Sequence, residues 1–193
     1  MKKRLGIDID GTVTRPETIL SYMNKEFGLS LTLKDIVDYD LSLLVDIPAS
    51  EFAQWWLNIE AKVYEESPLA DHVKEVLLEW EKLYELYFIS ARSTHLLAIT
   101  ENWFKKEGLP FHHIELTGSH NKVKLIKNYQ LDLFIEDKHD NAVIIHQECK
   151  IPVLLFDTPY NQGPLPQGVI RIYHWFEAKA WVEKWIKKHR AFE

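Results

Sequence analysis

The chain has a single cysteine, Cys149, so no intrachain disulfide can form. A lone thiol fits a cytoplasmic setting and reads as an inert, half-buried packing residue. No uninterrupted apolar run is long enough to span a bilayer. Met1, Lys2, Lys3 and Arg4 begin like a signal segment, but Asp8 and Asp10 break the apolar run behind them, and no signal peptide is expected. Positive charge is also in deficit. Lys and Arg number 23 against 29 Asp and Glu, a net charge of −6. That balance counts against a general binder of nucleic-acid polymers or anionic membranes, while leaving room for a local basic pocket. The nine histidines show no Cys/His zinc spacing. There are no internal repeats and no low-complexity stretch. What remains is a soluble chain of 193 residues, 46% hydrophobic and 27% charged, enough for one core and a small accessory unit.

The chain is organised around Leu5 to Thr14. Leu5 to Ile9 reads as a buried strand that runs into Asp8, Asp10 and Gly11. Carboxylates one residue apart on a strand point to opposite faces, and a glycine turn can bring the second back toward the first. Beyond Arg15 and Pro16, residues 16–68 show helical spacing and no strand. A helix is expected over 17–27 with Gly28 as its stop, a short one capped by Thr32 through Val37, and a longer one capped by Ser50. From there strands and helices alternate. Strands are expected at 83–90, 113–116, 131–135, 151–156 and 169–173. Helices are expected at 71–82, from Ser93 or Thr94 to Lys106, and at 121–129, 139–148 and 176–189. Such alternation implies a parallel sheet with helices on both faces. Trp175, Trp181 and Trp185 are expected to dock the last helix, and 184–190 to give it a solvated charged face.

Ligands of open parallel sheets bind beyond the carboxyl ends of the strands. Reactive residues gather there: Asp8 and Asp10, then Ser90 with Ala91 and Arg92, then Glu136 and Asp137, with Lys122 just before that last strand. The set suits phosphoryl transfer. A phosphate dianion repels a carboxylate nucleophile, and Mg²⁺ held by Asp8, the Asp10 carbonyl and Asp137 would cancel that repulsion. Lys122 would neutralise developing charge; Lys124 is also near the right place, but the distance to the acidic pair favours Lys122. Gly11, Thr12, Ser90 and Ala91 are candidate phosphate contacts. Arg92 either reaches a phosphate, pairs with an acid or faces solvent. Asp10 would protonate the leaving oxygen and then activate water. Asp140 either sits near the metal or caps the helix that follows.

Asp8, Asp10, Gly11 and Thr12, then Ser90, Lys122, and Glu136 with Asp137, resemble the four ordered motifs of the haloacid dehalogenase-like phosphohydrolases across nearly the whole chain. The resemblance implies an α/β fold, a Rossmann-like catalytic core over 1–15 and 69–193, and a small helical cap over 16–68. It implies Asp8 as nucleophile, Asp10 as acid/base, and Mg²⁺ on Asp8, the Asp10 carbonyl and Asp137. Many relatives carry two aspartates where this chain has Glu136 and Asp137, so Glu136 is expected to act through water or a neighbour. Residues 132–141 and 156–161 are similar to the 5′(3′)-deoxyribonucleotidase branch, which implies nucleoside or deoxynucleoside monophosphates as substrates. Trp55 and Trp56 are adjacent and cannot share a helix face; one belongs to the cap core, leaving the other to stack on a base. Phe27 and Tyr64 are expected in the cap core.

Three other readings compete. A phosphatase of another small metabolite, such as a sugar phosphate, would use the same core with a different cap preference. A receiver-like signalling domain also joins acids, a hydroxyl and a lysine on a parallel sheet, but its phosphorylated aspartate comes near mid-chain, before the lysine. A non-hydrolytic binding protein would lack a reactive group, and none is missing here. The expected partner is a small phosphate ester, with neither a nucleic-acid polymer nor a membrane; a homodimer is compatible with the sequence.

Overall fold

In the computed structural model, which describes residues 2–190, the strands are β1 (Arg4–Ile7), β2 (Glu85–Ser90), β3 (His113–Leu116), β4 (Leu133–Glu136), β5 (Val153–Phe156) and β6 (Val169–Ile172). They form one parallel sheet in the order β3-β2-β1-β4-β5-β6. Alternate residues go to opposite faces. Leu5, Ile7, Leu86, Phe88, Leu133, Ile135 and Leu154 face α3 (Val73–Leu83), α4 (Leu97–Glu107) and α7 (Trp175–Arg190), where Leu77, Trp80, Trp103, Phe104 and Trp175 close the layer. Tyr87, Ile89, Phe134, Val153 and Leu155 face α5 (Val123–Asn128) and α6 (His139–Cys149). Covering both faces is what lets short strands be apolar on both sides. Trp181 and Trp185 pack partly buried against the first layer, as docking residues should.

The order reverses between β1 and β4, the switch point where such sheets bind ligands. Gly6 lets these two strands approach: a Cβ there would lie 2.3 Å from a Phe134 ring carbon. β1 ends at Ile7, two residues earlier than the apolar run suggests. Asp8 still bonds the sheet through its N–H to the Ile135 carbonyl at 2.9 Å. The Ile9 carbonyl then accepts from Val13 and Thr14 at 2.8 and 3.0 Å, folding the loop into a tight turn around Gly11, whose φ is +78°. Glycine tolerates that angle without a Cβ clash.

The chain leaves the core at Arg15 and returns at Leu69. The two crossings are tied by an antiparallel bridge between Thr14 and Leu69, with Arg15 N–H on the Pro68 carbonyl and Ala70 N–H on that of Val13. Between them lie α1 (Leu20–Phe27), α2 (Ala49–Glu66), short 3-10 turns at Leu33–Asp35 and Leu41–Leu44, and no strand among the described residues. Leu20, Met23 and Ile36 make a separate small core, joined by Phe27, Phe52 and Trp55. The end of α2 is fastened to the larger core by Trp103, whose Nε1 donates to the Ser67 carbonyl at 3.0 Å.

Several element ends differ from the sequence pattern for local reasons. The expected helix over 17–27 starts at Leu20, because Thr18 turns its hydroxyl and N–H back onto the Arg15 carbonyl. Thr32 does form a capping box with Asp35, but only one 3-10 turn follows. α2 starts at Ala49, after Pro48, so Ser50 lies inside it rather than capping it. Ser93 leads into a 3-10 turn at Thr94–Leu96 before α4, without a side-chain cap. The side chains of His189 and Arg190, the end of the expected charged face, lie outside the described residues.

Candidate active site

The loop after β1, the N-terminus of α5 and the end of β4 bring a buried charge cluster together. Lys122 is 1% exposed and sits at the residue preceding α5. Its ammonium donates to Asp8 Oδ1 and, at 2.9 Å, to Glu136 Oε2. Glu136 Oε1 accepts the Lys138 N–H at 3.2 Å. Asp137 Oδ2 accepts the Tyr160 hydroxyl at 2.6 Å, and the Asp137 carbonyl accepts Asn161 Nδ2 at 2.6 Å. Lys124 is not part of this network.

Carboxylate oxygens of Asp8, Glu136 and Asp137 lie within 4.8 Å of one another, and all three residues are buried. Three carboxylates against one ammonium leave a charge of 1 − 3 = −2 when all are ionised. The protein cannot leave that charge bare in a dry site. Burial pushes Asp8 up to about 7, against the pull of Lys122, with repulsion from Glu136 and Asp10 adding to the rise. Burial and the negative charge of Asp8 push Asp137 well above the carboxylate range. Burial also works against the charge on Lys122, but Asp8 and Glu136 overcome it and hold the ammonium above the ordinary lysine value. Tyr160 remains a phenol, because burial and the adjacent Asp137 both disfavour a phenolate.

Asp10 faces the other way. Its carboxylate takes Arg92 Nε at 2.9 Å and Nη2 at 2.7 Å, with the Ser90 hydroxyl at 3.2 Å. Arg92 is thus paired with an acid, one of the three roles open to it in the sequence. Over these groups lies a cavity of about 720 Å³. Gly11, Ala91, Asp137 and Tyr160 of the core line it from below, and Ile19, Phe52, Trp56 and Tyr64 of the insert from above.

The remaining expected residues divide. Gly11 and Ala91 line the cavity, and Asp140 reaches it beside His139. Thr12 is 1% exposed; its carbonyl accepts Trp175 Nε1 at 3.2 Å and its hydroxyl has no partner. Trp55 packs into the insert core, 4.9 Å from Phe27, whereas Trp56 takes the cavity wall, edge-on to Tyr64 at 5.7 Å. Tyr64 differs from expectation. It is not merely packing: its ring lies 4.0 Å from the Arg92 guanidinium carbon. Tyr39, His120, Lys138 and Tyr160 were not singled out by the sequence. Tyr39 stands between the Tyr160 ring at 5.8 Å, the His120 ring at 5.4 Å and the Lys138 ammonium at 4.0 Å.

No family profile matches the chain. It is 52% identical over 97% of its length, and 96% of the relative's, to a Halalkalibacterium halodurans protein named as a candidate nucleotidase. It is 32% identical over 96% of both chains to a nucleotidase of Clostridium acetobutylicum. Among solved structures, a haloacid dehalogenase-like family hydrolase from Streptococcus pneumoniae superposes with a TM-score of 0.69 at 20% identity, covering 94% of this chain and 98% of that one. The chain belongs to the family of these nucleotidases, and its fold is that of the haloacid dehalogenase-like hydrolases. Members of that family are hydrolases of phosphoric monoesters, and so is this protein. A further neighbour, a Bacillus subtilis haloacid dehalogenase-type hydrolase bound to magnesium, has a TM-score of 0.62 at 16% identity, over 94% of this chain and 99% of that one.

The donor set of this haloacid dehalogenase-like site fits a hard divalent cation. All the clustered ligand atoms are carboxylate oxygens, the uncompensated charge is twofold, and Asp137 Oδ1 is a buried oxygen with no hydrogen-bond partner. Gly11 keeps the approach open: a Cβ there would meet Asp137 Oδ2 at 2.2 Å.

Proposed function

We propose that this chain is a Mg²⁺-dependent nucleotidase that hydrolyses nucleoside or deoxynucleoside monophosphates through an aspartyl-phosphate, in the manner of the 5′(3′)-deoxyribonucleotidase branch. The observation that carries the reading is the buried Asp8–Lys122–Glu136 network with Asp137 beside it, set under an aromatic cavity of about 720 Å³. Asp8, Asp137 and the Asp10 carbonyl would hold the ion, whose positive charge offsets repulsion between the phosphate dianion and the Asp8 carboxylate.

The chain's own groups do the rest. One Asp8 oxygen attacks phosphorus while the other is held by Lys122, and the bond from phosphorus to the ester oxygen breaks. Asp10 gives a proton to that oxygen as it leaves. A water then loses a proton to Asp10 and attacks the phosphorus, releasing phosphate and restoring the Asp8 carboxylate. Lys122 stays charged throughout and stabilises the negative charge that develops next to Asp8. Glu136 keeps Lys122 in place rather than reacting.

Trp56 and Tyr64 offer flat faces to a leaving group, which supports a nucleoside over a hexose. Asp38, Asp40 and Asp140 also line the cavity and could bind sugar hydroxyls, which favours a sugar-phosphate phosphatase as the second reading. The partner in either case is a small phosphate ester. A phosphate-release panel with dUMP, dTMP, GMP and a hexose phosphate, with and without Mg²⁺, decides between them. Nucleotides should lead and EDTA should abolish turnover. A wide lead for the hexose phosphate would replace the substrate assignment, and full turnover by Asp8→Asn would end the mechanism.

A further inference from the structure

Arg92 is a fully enclosed cation beside the cavity, and none of the steps above uses it. Its side chain is 0% exposed, whereas that of its partner Asp10 is 36% exposed. The guanidinium is held on several sides. Nε and Nη2 bind the two oxygens of Asp10, Nη1 donates to Thr100 Oγ1 at 3.1 Å, and the Tyr64 ring lies 4.0 Å from Cζ. The Trp103 ring adds a second aromatic contact at 5.8 Å. Ser90 closes the arrangement, since its hydroxyl donates to Asp10 Oδ2 and accepts the Arg92 N–H at 3.1 Å.

Two consequences follow from the geometry. Each Asp10 oxygen already faces an N–H, so a carboxyl proton on either would point at a donor. Asp10 must loosen at least one of these bonds before it can hand a proton to a leaving oxygen. Both residues line the cavity, but the Arg92 side chain is fixed by Thr100 and two aromatic rings with no exposed surface, whereas the Asp10 side chain is partly exposed. Asp10 is therefore the partner that moves. A planar fork suits this task in a way that an ammonium does not, because it sets both the direction and the distance of the carboxylate.

We propose that Arg92 is a positioning residue for Asp10. It holds the carboxylate aimed at the cavity with neither oxygen free to carry a proton until the ester oxygen replaces one of its contacts, and Tyr64 fixes the plane in which the guanidinium lies. This deepens the nucleotidase reading and rests on Asp10 as its acid and base.

The test uses leaving groups. A nucleoside leaves as an alkoxide and needs the proton; p-nitrophenolate does not. Each substrate's kcat/KM reports steps up to loss of its leaving group. Arg92→Lys keeps the charge and removes the fork. It should lower kcat/KM for dUMP by about 10²-fold, the usual worth of a positioned acid, while p-nitrophenyl phosphate changes by less than about threefold. Inhibition by inorganic phosphate should not change. Equal losses on both substrates, or weaker inhibition by phosphate, would overturn the proposal; the second result would make Arg92 a phosphate contact. If Arg92→Lys fails to fold, Thr100→Val, which removes only the Nη1 contact, should show a smaller loss confined to dUMP that Thr100→Ser restores, and an equal loss on both substrates again overturns it. A wild-type protein inactive on both esters would remove the nucleotidase reading and the acid role together. An active wild type with equal losses in the variant removes only the role of Arg92.

Discussion

The sheet edge and the insert wall of the cavity are built on opposite principles. At the sheet edge, the side chains of Asp8, Asp10, Lys122, Glu136 and Asp137 are each hydrogen-bonded to a residue of another core segment, and Asp8, Lys122, Glu136 and Asp137 are buried. The insert wall is mostly rings and aliphatic groups on a small core of its own, with Val37, Leu43 and Leu57 exposed beyond it. Chemistry needs atoms held to fractions of an ångström, so it sits where the core over-determines each position. Recognition of a flat leaving group needs area and shape, which aromatic rings supply without fixed bonds.

That contrast predicts where damage is severe. The largest effect falls on Asp8→Asn, which should cut phosphate release by about 10⁴-fold or more while the protein stays folded. Lys122→Met comes next. It leaves Asp8 and Glu136 buried without their cation and should cost about 3–5 kcal/mol in denaturant unfolding, besides activity.

A pH effect of a few kcal/mol follows from Asp8. Its value in the folded protein, about 7, is above the 3.8 of an ordinary aspartate, so the folded state binds this proton more tightly than the unfolded one. The resulting stability is complete below about pH 4 and is lost as pH rises through 7. With EDTA present, Tm should fall from pH 5 to 7.5, and saturating Mg²⁺ should flatten the fall. Asp8→Asn should do the same without metal, so that one substitution removes activity and raises stability above pH 7.

Smaller effects separate the two regions. Tyr160→Phe removes the hydroxyl that orients Asp137 and should weaken Mg²⁺ binding, read by calorimetry, about 10-fold. Trp56→Leu should raise KM for nucleotides by about 10-fold and leave p-nitrophenyl phosphate nearly unchanged. A matching loss on both esters would mean that the insert wall shapes the chemistry too, and the contrast would fail.

The sheet edge was legible in the sequence because apolar runs of strand length ended in acids, and because Lys122 preceded such an end. The order of those ends along the chain then specified their convergence. The insert was legible only as helix. Tyr39 and Tyr160 sit on or beside short 3-10 turns, where no period marks a buried face. Their neighbours come from parts of the chain far away in sequence, so no local pattern could announce them. Tyr64 shows the same limit in reverse. Its spacing on α2 marks an inward-facing ring but not that the ring meets a guanidinium. Nor could the letters say which of three destinations Arg92 takes, since each needs only a long cation after β2. The early end of β1 was hidden because Ile9 is as buried as Ile7, though it belongs to the turn.

The Thr14–Leu69 bridge has a consequence for how such a protein can change. The excursion over residues 16–68 begins and ends one hydrogen-bonded step apart, at a stalk that the core already pairs. Apart from the end of α2, which Trp103 fastens to the core, its contents can be exchanged for another segment without altering the distance the core must span. On the proposed reading, the part that chooses the ester is in effect a cassette. A lineage, or an engineer, can trade it while the phosphate chemistry below is inherited intact.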